Sequence, residues 1–223
     1  MPTLTVTSPV ADRSLTSLAQ VKAELGIAAD DTASDPLLTG WIKDDSDAVL
    51  DACHWAPDQM GRRCALDEPV TISFRASEVP VNGCDPAPLL LPWRLPLSID
   101  TVTVDGQALT VSEDVECQPM GALLYRLDAS GQHARWRPSR IVITGRSGWT
   151  QDEVPAALRG AVLDLIRIRW DSQGRNSFVK RERVEDVGER EFWVGDQPNS
   201  TGGMPKSVLE SLRAAGLVNI VIG

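Results

Sequence analysis

The chain is predicted to adopt an α+β fold, with about four helices, two near each end, around a small antiparallel β domain. Three observations predict it. Apolar residues recur at three-to-four spacing before residue 54 and again after residue 154. Between Pro69 and Gly148 the pattern changes to period-two alternation broken by turn residues. Within that region Asp105-Gly106 separates two alternating runs, the pattern of a two-residue hairpin whose turn positions both need positive φ.

The elements follow in order. Leu15, Leu18, Val21 and Leu25 form one apolar stripe after Ser14, read as the cap, and Gly26 ends the helix. Asp35-Pro36 opens a second helix, because proline in the first turn gives up only an N–H that lacks a partner anyway. Leu38, Trp41, Ile42, Val49 and Cys53 make its apolar side, and Asp44, Asp45, Asp47 and Asp51 are read together as an acidic outer face. Val70, Ile72 and Phe74 alternate with polar residues, as do Ile99 to Val104 and the returning Ala108 to Val111. Tyr125 and Ile141 to Ile143 supply further strands, joined by a polar loop at Ser130-Gly131.

Helical spacing resumes at Val154-Pro155 through Leu158, Ala161, Val162, Leu165 and Ile166, and Gly174 is read as its end. The stretch Lys180 to Glu191 mixes signs and reads as a solvated loop, with a short strand at Glu191 to Val194 and a linker at Asn199 to Gly203. Pro205 opens a last helix through Val208, Leu209 and Leu212, stopped by Gly216. The expected domains are 1–65 (N-terminal helices), 66–148 (β domain), 149–216 (C-terminal helices with an intervening loop) and 217–223, an uncharged, β-branched arm.

Composition bounds the function. Of 223 residues 42% are apolar and 24% charged, which excludes a collagen, a coiled-coil rod and a disordered tail. The net charge is −9, and most of the deficit lies in the first sixty residues, where three basic side chains face ten acidic ones. Tight DNA binding needs a basic stripe that displaces counterions from phosphates, so this balance argues against it. Cys53, Cys64, Cys84 and Cys117 form no CxxC pair and the N-terminus has no leader pattern, so reduced thiols in a cytosolic setting are expected. The most apolar stretch, Leu89 to Leu97, is broken by Pro92, Arg94 and Pro96, so no membrane segment is expected.

Catalytic signatures are scarce. His54 and His133 are the two histidines. Cys53-His54 with Cys64 lacks the paired spacing and fourth ligand of a zinc site, and nothing local puts a cysteine beside His133 for nucleophilic chemistry. Gly145-Arg146-Ser147-Gly148 lacks the lysine and spacing of a phosphate loop. The aspartate run lacks the glycine and distal glutamate of a calcium loop. Arg135-Trp136-Arg137 reads as a loop with a packed tryptophan rather than a nucleic-acid contact, and Asn199-Ser200-Thr201 as a sequon without meaning in the cytosol. No catalytic residue, cofactor or metal ligand is assigned.

The order of the pieces carries more. Ser17 to Ile27 (SLAQVKAELGI), the acidic helix after Asp35-Pro36 with Trp41-Ile42, and Leu95 to Gly106 (LPLSIDTVTVDG) resemble head–tail connector (adaptor) proteins of tailed bacteriophages. So do Ile141 to Trp149 (IVITGRSGW), the helix opening Val154-Pro155-Ala156-Ala157-Leu158, and Pro205 with Leu209 and Leu212. The resemblance spans about residues 14 to 216 and is to the longer subgroup with a β domain between helix pairs.

It implies a structural, non-enzymatic virion protein, made in the host cytoplasm and placed at the virion neck. Such proteins form a homo-oligomeric ring, usually a dodecamer, beneath the portal protein, and continue the DNA channel toward a stopper or tail protein. DNA would touch the ring only transiently and non-specifically. A lining of one charge sign suits sliding DNA, so Asp44, Asp45, Asp47 and Asp51 are the candidate channel residues. The arm residues Leu217, Val218, Ile220, Val221 and Ile222 are candidates for strand addition to the portal, or for pairing with the chain's own β domain. Another tail-side ring, a stopper or tail terminator, is the alternative, and an uncharacterised cytosolic enzyme a more distant one.

Overall fold

The computed structural model describes residues 2–80, 86–173, 181–184, 188–191 and 204–219. The chain is α+β and divides into two compact units. One comprises residues 1–13, 54–154 and 219–223, the other 14–53 and 155–218. Residues 54–65 and the first thirteen thus group with the strands rather than with the N-terminal helices.

Among the described residues the β unit holds nine strands, numbered in chain order. Strands β1 (Thr3–Val6), β2 (Glu68–Phe74), β4 (Leu97–Val104), β5 (Gln107–Leu109) and β9 (Ile141–Ser147) form a sheet in the order β1-β2-β9-β4-β5, every neighbour antiparallel. Strands β3 (Leu89–Leu90), β6 (Val115–Gln118) and β7 (Leu123–Leu127) form a second sheet in the order β3-β7-β6, and β8 (His133–Ala134) also pairs with β7. The alternation read from sequence sets one face of each strand inward: Val70, Ile72, Phe74, Ile141 and Ile143 from the first sheet join Leu89, Val115 and Leu124 from the second in one core. Burying each such side chain contributes roughly 1.5–3 kcal/mol. Trp136 belongs to that core, and its indole N–H donates to the Leu124 carbonyl at 3.2 Å, so the Arg-Trp-Arg triplet is anchored by packing.

The β4–β5 turn is the hairpin expected at Asp105-Gly106, with φ of 48° and 83°. A tighter requirement falls on Gly148, where φ is +104° and a Cβ would sit 2.2 Å from the Leu66 carbonyl oxygen. That close approach lets Trp149 N–H donate to the Ala65 carbonyl at 2.8 Å, and brings Trp149 against Trp55 with ring centroids 5.7 Å apart.

Strand β1 was not foreseen, although Thr3-Leu4-Thr5-Val6-Thr7 alternates polar and apolar residues as a half-buried strand does. It pairs with β2 from Thr3↔Ser73 to Val6↔Val70 and buries Leu4 and Val6. On its other side the Gln59 side-chain amide takes both main-chain groups of Val6: Oε1 accepts from Val6 N–H at 2.8 Å and Nε2 donates to the Val6 carbonyl at 3.0 Å.

The helical unit contains α1 (Leu18–Leu25), α2 (Asp35–Ala52), α3 (Ala156–Ser172) and α4 (Lys206–Ala214). The α1 cap is Ser17, not Ser14: Gln20 N–H donates to Ser17 Oγ at 3.3 Å and Ser17 N–H to Gln20 Oε1 at 3.2 Å, a reciprocal capping box. Leu15 is instead a buried anchor ahead of the helix, its N–H donating to Ser46 Oγ at 3.0 Å. Ser34, not Asp35, holds the position before α2 and makes no side-chain capping bond; Asp35 is the first helical residue and Pro36 lies in the first turn. Gly174, expected to end α3, lies outside the described residues, as do Cys84, residues 192–194 of the strand expected at Glu191 to Val194, and the linker 199–203.

The charged stretch read as a loop contains two antiparallel strands, β10 (Arg181–Val184) paired with β11 (Gly188–Glu191). Its register sets Arg181 opposite Glu191, Glu182 opposite Arg190 and Arg183 opposite Glu189.

Candidate functional site

Helix α2 separates the aspartates that the sequence grouped. Asp45 lies three residues after Ile42 and four before Val49, so helical spacing puts it on the buried stripe, and its side chain is 1% exposed. It reaches Arg169 of α3 at 2.6 Å. Burial pushes its carboxyl up to about 6, opposed by the Arg169 charge and reinforced by Asp44. Asp45 is therefore not part of an outer acidic face. Asp44 and Asp51 are exposed and Asp47 is half-buried.

Among the described residues the thiols and histidines do not converge. Cys53 is fully buried and desolvation raises its thiol to about 12; Cys64 is buried too, raised to about 11 by desolvation first and by the Glu68 charge second. Neither is a thiolate at neutral pH. His54 is exposed at the end of α2, with φ of 55°. His133 stacks on Tyr125 with centroids 4.1 Å apart and places Nε2 3.1 Å from Glu116 Oε2, on the solvent side of the second sheet. Among the described residues, no three His, Cys, Asp or Glu side chains gather in a way that would hold a metal ion.

The C-terminal arm begins inside the fold. Leu217 is buried and its N–H donates to the Leu212 carbonyl at 3.1 Å, closing α4. Val218 is half-buried, and Ile220, Val221 and Ile222 lie outside the described residues.

One surface escaped sequence reasoning. The outward positions of the five-stranded sheet are hydroxyl-rich: Thr3 and Thr5 on β1, Thr71 and Ser73 on β2, Thr144 on β9, Thr101 and Thr103 on β4. Thr101 and Thr144 hydroxyls meet at 2.6 Å. At the end of this face the register runs out at Phe74↔Ile141, so Arg75 and Arg140 follow one residue further on each strand. They line a cavity of about 410 Å³ together with Thr3, Ser73, Phe74 and Ala76. Arg75 N–H donates to Glu78 Oε2 at 2.8 Å and Arg140 N–H to Asp105 Oδ1 at 2.9 Å; the Arg75 amide first, with the Arg75 charge adding to it, holds the Glu78 carboxyl below its ordinary range. The signal was present in sequence as the phase of Thr71-Ile72-Ser73-Phe74-Arg75, but a basic pair forms only once β2 and β9 are set side by side.

No protein-family model matches the chain, and no curated protein does. Solved structures do. A chain in the neck of an empty gene transfer agent (GTA) particle, computed with C6 symmetry, is 16% identical with a TM-score of 0.53, over 99% of this chain and 98% of that one. A chain in the virion of a native GTA particle is 14% identical with a TM-score of 0.53, over 99% of this chain and 97% of that one. The likeness is one of fold, and it extends over the full length of both chains.

Proposed function

We propose that the chain is a structural neck protein of a phage-like particle, the head–tail connector (adaptor) that docks under the portal as a ring and extends the DNA channel toward the stopper and tail. The observation that carries this reading is the full-length fold likeness to chains of a GTA particle, one of them in its neck. It agrees with the resemblance carried by residues 14 to 216. The four helices support an adaptor over a stopper or tail terminator, which would be dominated by β structure. Absence of enzymatic activity belongs to the same reading, and so does the twelvefold ring of the usual member.

In this ring Asp44, Asp47 and Asp51 face the channel, where one sign of charge keeps DNA sliding, while Asp45 serves the helix packing. The arm from Val218 through Ile220, Val221 and Ile222 adds as a strand to the portal. The test is the mass of the particles formed when the purified chain is mixed with the portal of the same particle, read by native mass spectrometry. A shift equal to about one subunit per portal chain supports the connector; no shift over a wide concentration range, with both proteins folded, refutes it.

A further inference from the structure

A ring of copies that each carry a net charge of −9 closes against less self-repulsion where its lateral contacts bring opposite signs together. A closed ring is also built from heterologous contacts, in which one patch of a copy meets a different patch of the next. The chain offers two such patches. One is the concave Arg75–Arg140 cavity, rimmed by the hydroxyls of Thr3 and Ser73. No side-chain partner holds the Arg140 guanidinium among the described residues.

The other patch is acidic. Between residues 14 and 53 two lysines face eight acids. One lysine, Lys22, is buried and spends its ammonium internally, donating to the Asp31 carbonyl at 2.8 Å and the Ala29 carbonyl at 3.3 Å and pairing with Asp35. These bonds tie down the turn between α1 and α2, so that Asp30 and Asp31 stand exposed on a braced knuckle. Asp31 Oδ1 accepts from Ala33 N–H at 3.0 Å, which leaves its other oxygen for a partner.

We propose that the Asp30–Asp31 knuckle of one copy seats in the Arg75–Arg140 cavity of the next, as the lateral contact of the ring. This rests on the connector reading for the ring itself, but not on portal docking. A pre-braced loop loses little freedom on docking, and arginine matches a carboxylate with two parallel donors.

A charge swap tests it. Variant A carries Arg75→Glu and Arg140→Glu; variant B carries Asp30→Lys and Asp31→Lys. In A both patches are acidic and in B both are basic, so each alone loses copy-to-copy association by at least about tenfold. Mixed in equal amounts, A and B regain it by alternating, which also shows that both fold. Milder variants, Arg140→Gln and Asp30→Asn, give a partial loss where a reversal disturbs folding. Association is read by sedimentation velocity of the free chain at low salt, and by native mass spectrometry on the portal.

Wild-type association by A or B alone, or a folded mixture that does not recover, overturns the proposal. So does a wild-type chain that stays single both alone and on the portal. If the swap behaves as stated for the free chain while the portal shows no shift, the contact stands and the portal reading fails. If A instead loses affinity for duplex DNA with self-association unchanged, the cavity takes phosphates and the proposal is wrong.

Discussion

Arg94 and Glu68 form an ion pair inside the β unit, Nη2 to Oε2 at 2.7 Å, with side chains 1% and 2% exposed. Arg94 also donates to the Cys64 carbonyl at 3.2 Å, and Glu68 Oε1 accepts from Val10 N–H at 2.9 Å. The pair ties the start of β2 to the loop before β4 and to the N-terminal segment. Glu68→Ala strands a buried guanidinium and should lower stability by about 3–5 kcal/mol, whereas the double change Glu68→Leu with Arg94→Met should cost far less. Urea unfolding of the single and double variants measures the difference.

Asp45 gives a pH dependence of definite sign. Because folding raises its pKa from 3.8 to about 6, the folded chain holds this proton more tightly than the unfolded one. Its contribution to stability therefore falls as pH rises from about 4 to about 6 and is flat above. Asp45→Asn removes that slope and should be more stable than wild type at pH 7.5 by about 1–3 kcal/mol. Urea midpoints between pH 4.5 and 7.5 check both statements; a variant weaker than wild type at pH 7.5 would contradict them.

The buried thiols should be inert. With Cys53 raised to about 12 and Cys64 to about 11, neither should react with Ellman's reagent within minutes at pH 8 in the folded chain. Both should react at once in urea. Fast native labelling of Cys53 would restore the zinc and nucleophile readings that its burial disfavours.

Truncation separates the two roles of the C-terminal arm. Removing residues 218–223 should leave thermal stability unchanged and weaken portal attachment. Removing Leu217 as well takes a buried side chain from the end of α4 and should cost about 2–4 kcal/mol. Differential scanning calorimetry with portal binding distinguishes them.

Lysine at Asp44, Asp47 and Asp51 together should slow or arrest DNA passage in assembled particles, while Asp45 is left in place to protect the fold. Normal infectivity of that triple variant would remove the channel role.

Legibility in the sequence followed periodicity. Val70, Ile72 and Phe74 announced β2, and Asp105-Gly106 announced the β4–β5 hairpin, because local pattern and tertiary role agree there. Asp45 was misread because its charge outweighed its position: between Ile42 and Val49 the helical period places it inward, and only the arrival of Arg169 from α3 makes that tolerable. Strand β1 was legible in the alternation of Thr3-Leu4-Thr5-Val6-Thr7 but short enough to pass unread, and the β10–β11 pair was hidden in a mixed-sign run that reads as solvated. The Arg75–Arg140 cavity joins residues 65 positions apart in the chain, so no local pattern contains it.

Gln59 bears on how such an assembly stops growing. An open sheet edge is a template, and any extended segment that finds it can start a stack of chains without end. By filling both main-chain groups of Val6 with a side-chain amide, Gln59 removes a rung from that template before a second chain arrives. A protein brought to high local density can then join neighbours through side-chain surfaces that close on themselves, and is kept from the fibre that an unguarded β1 would seed.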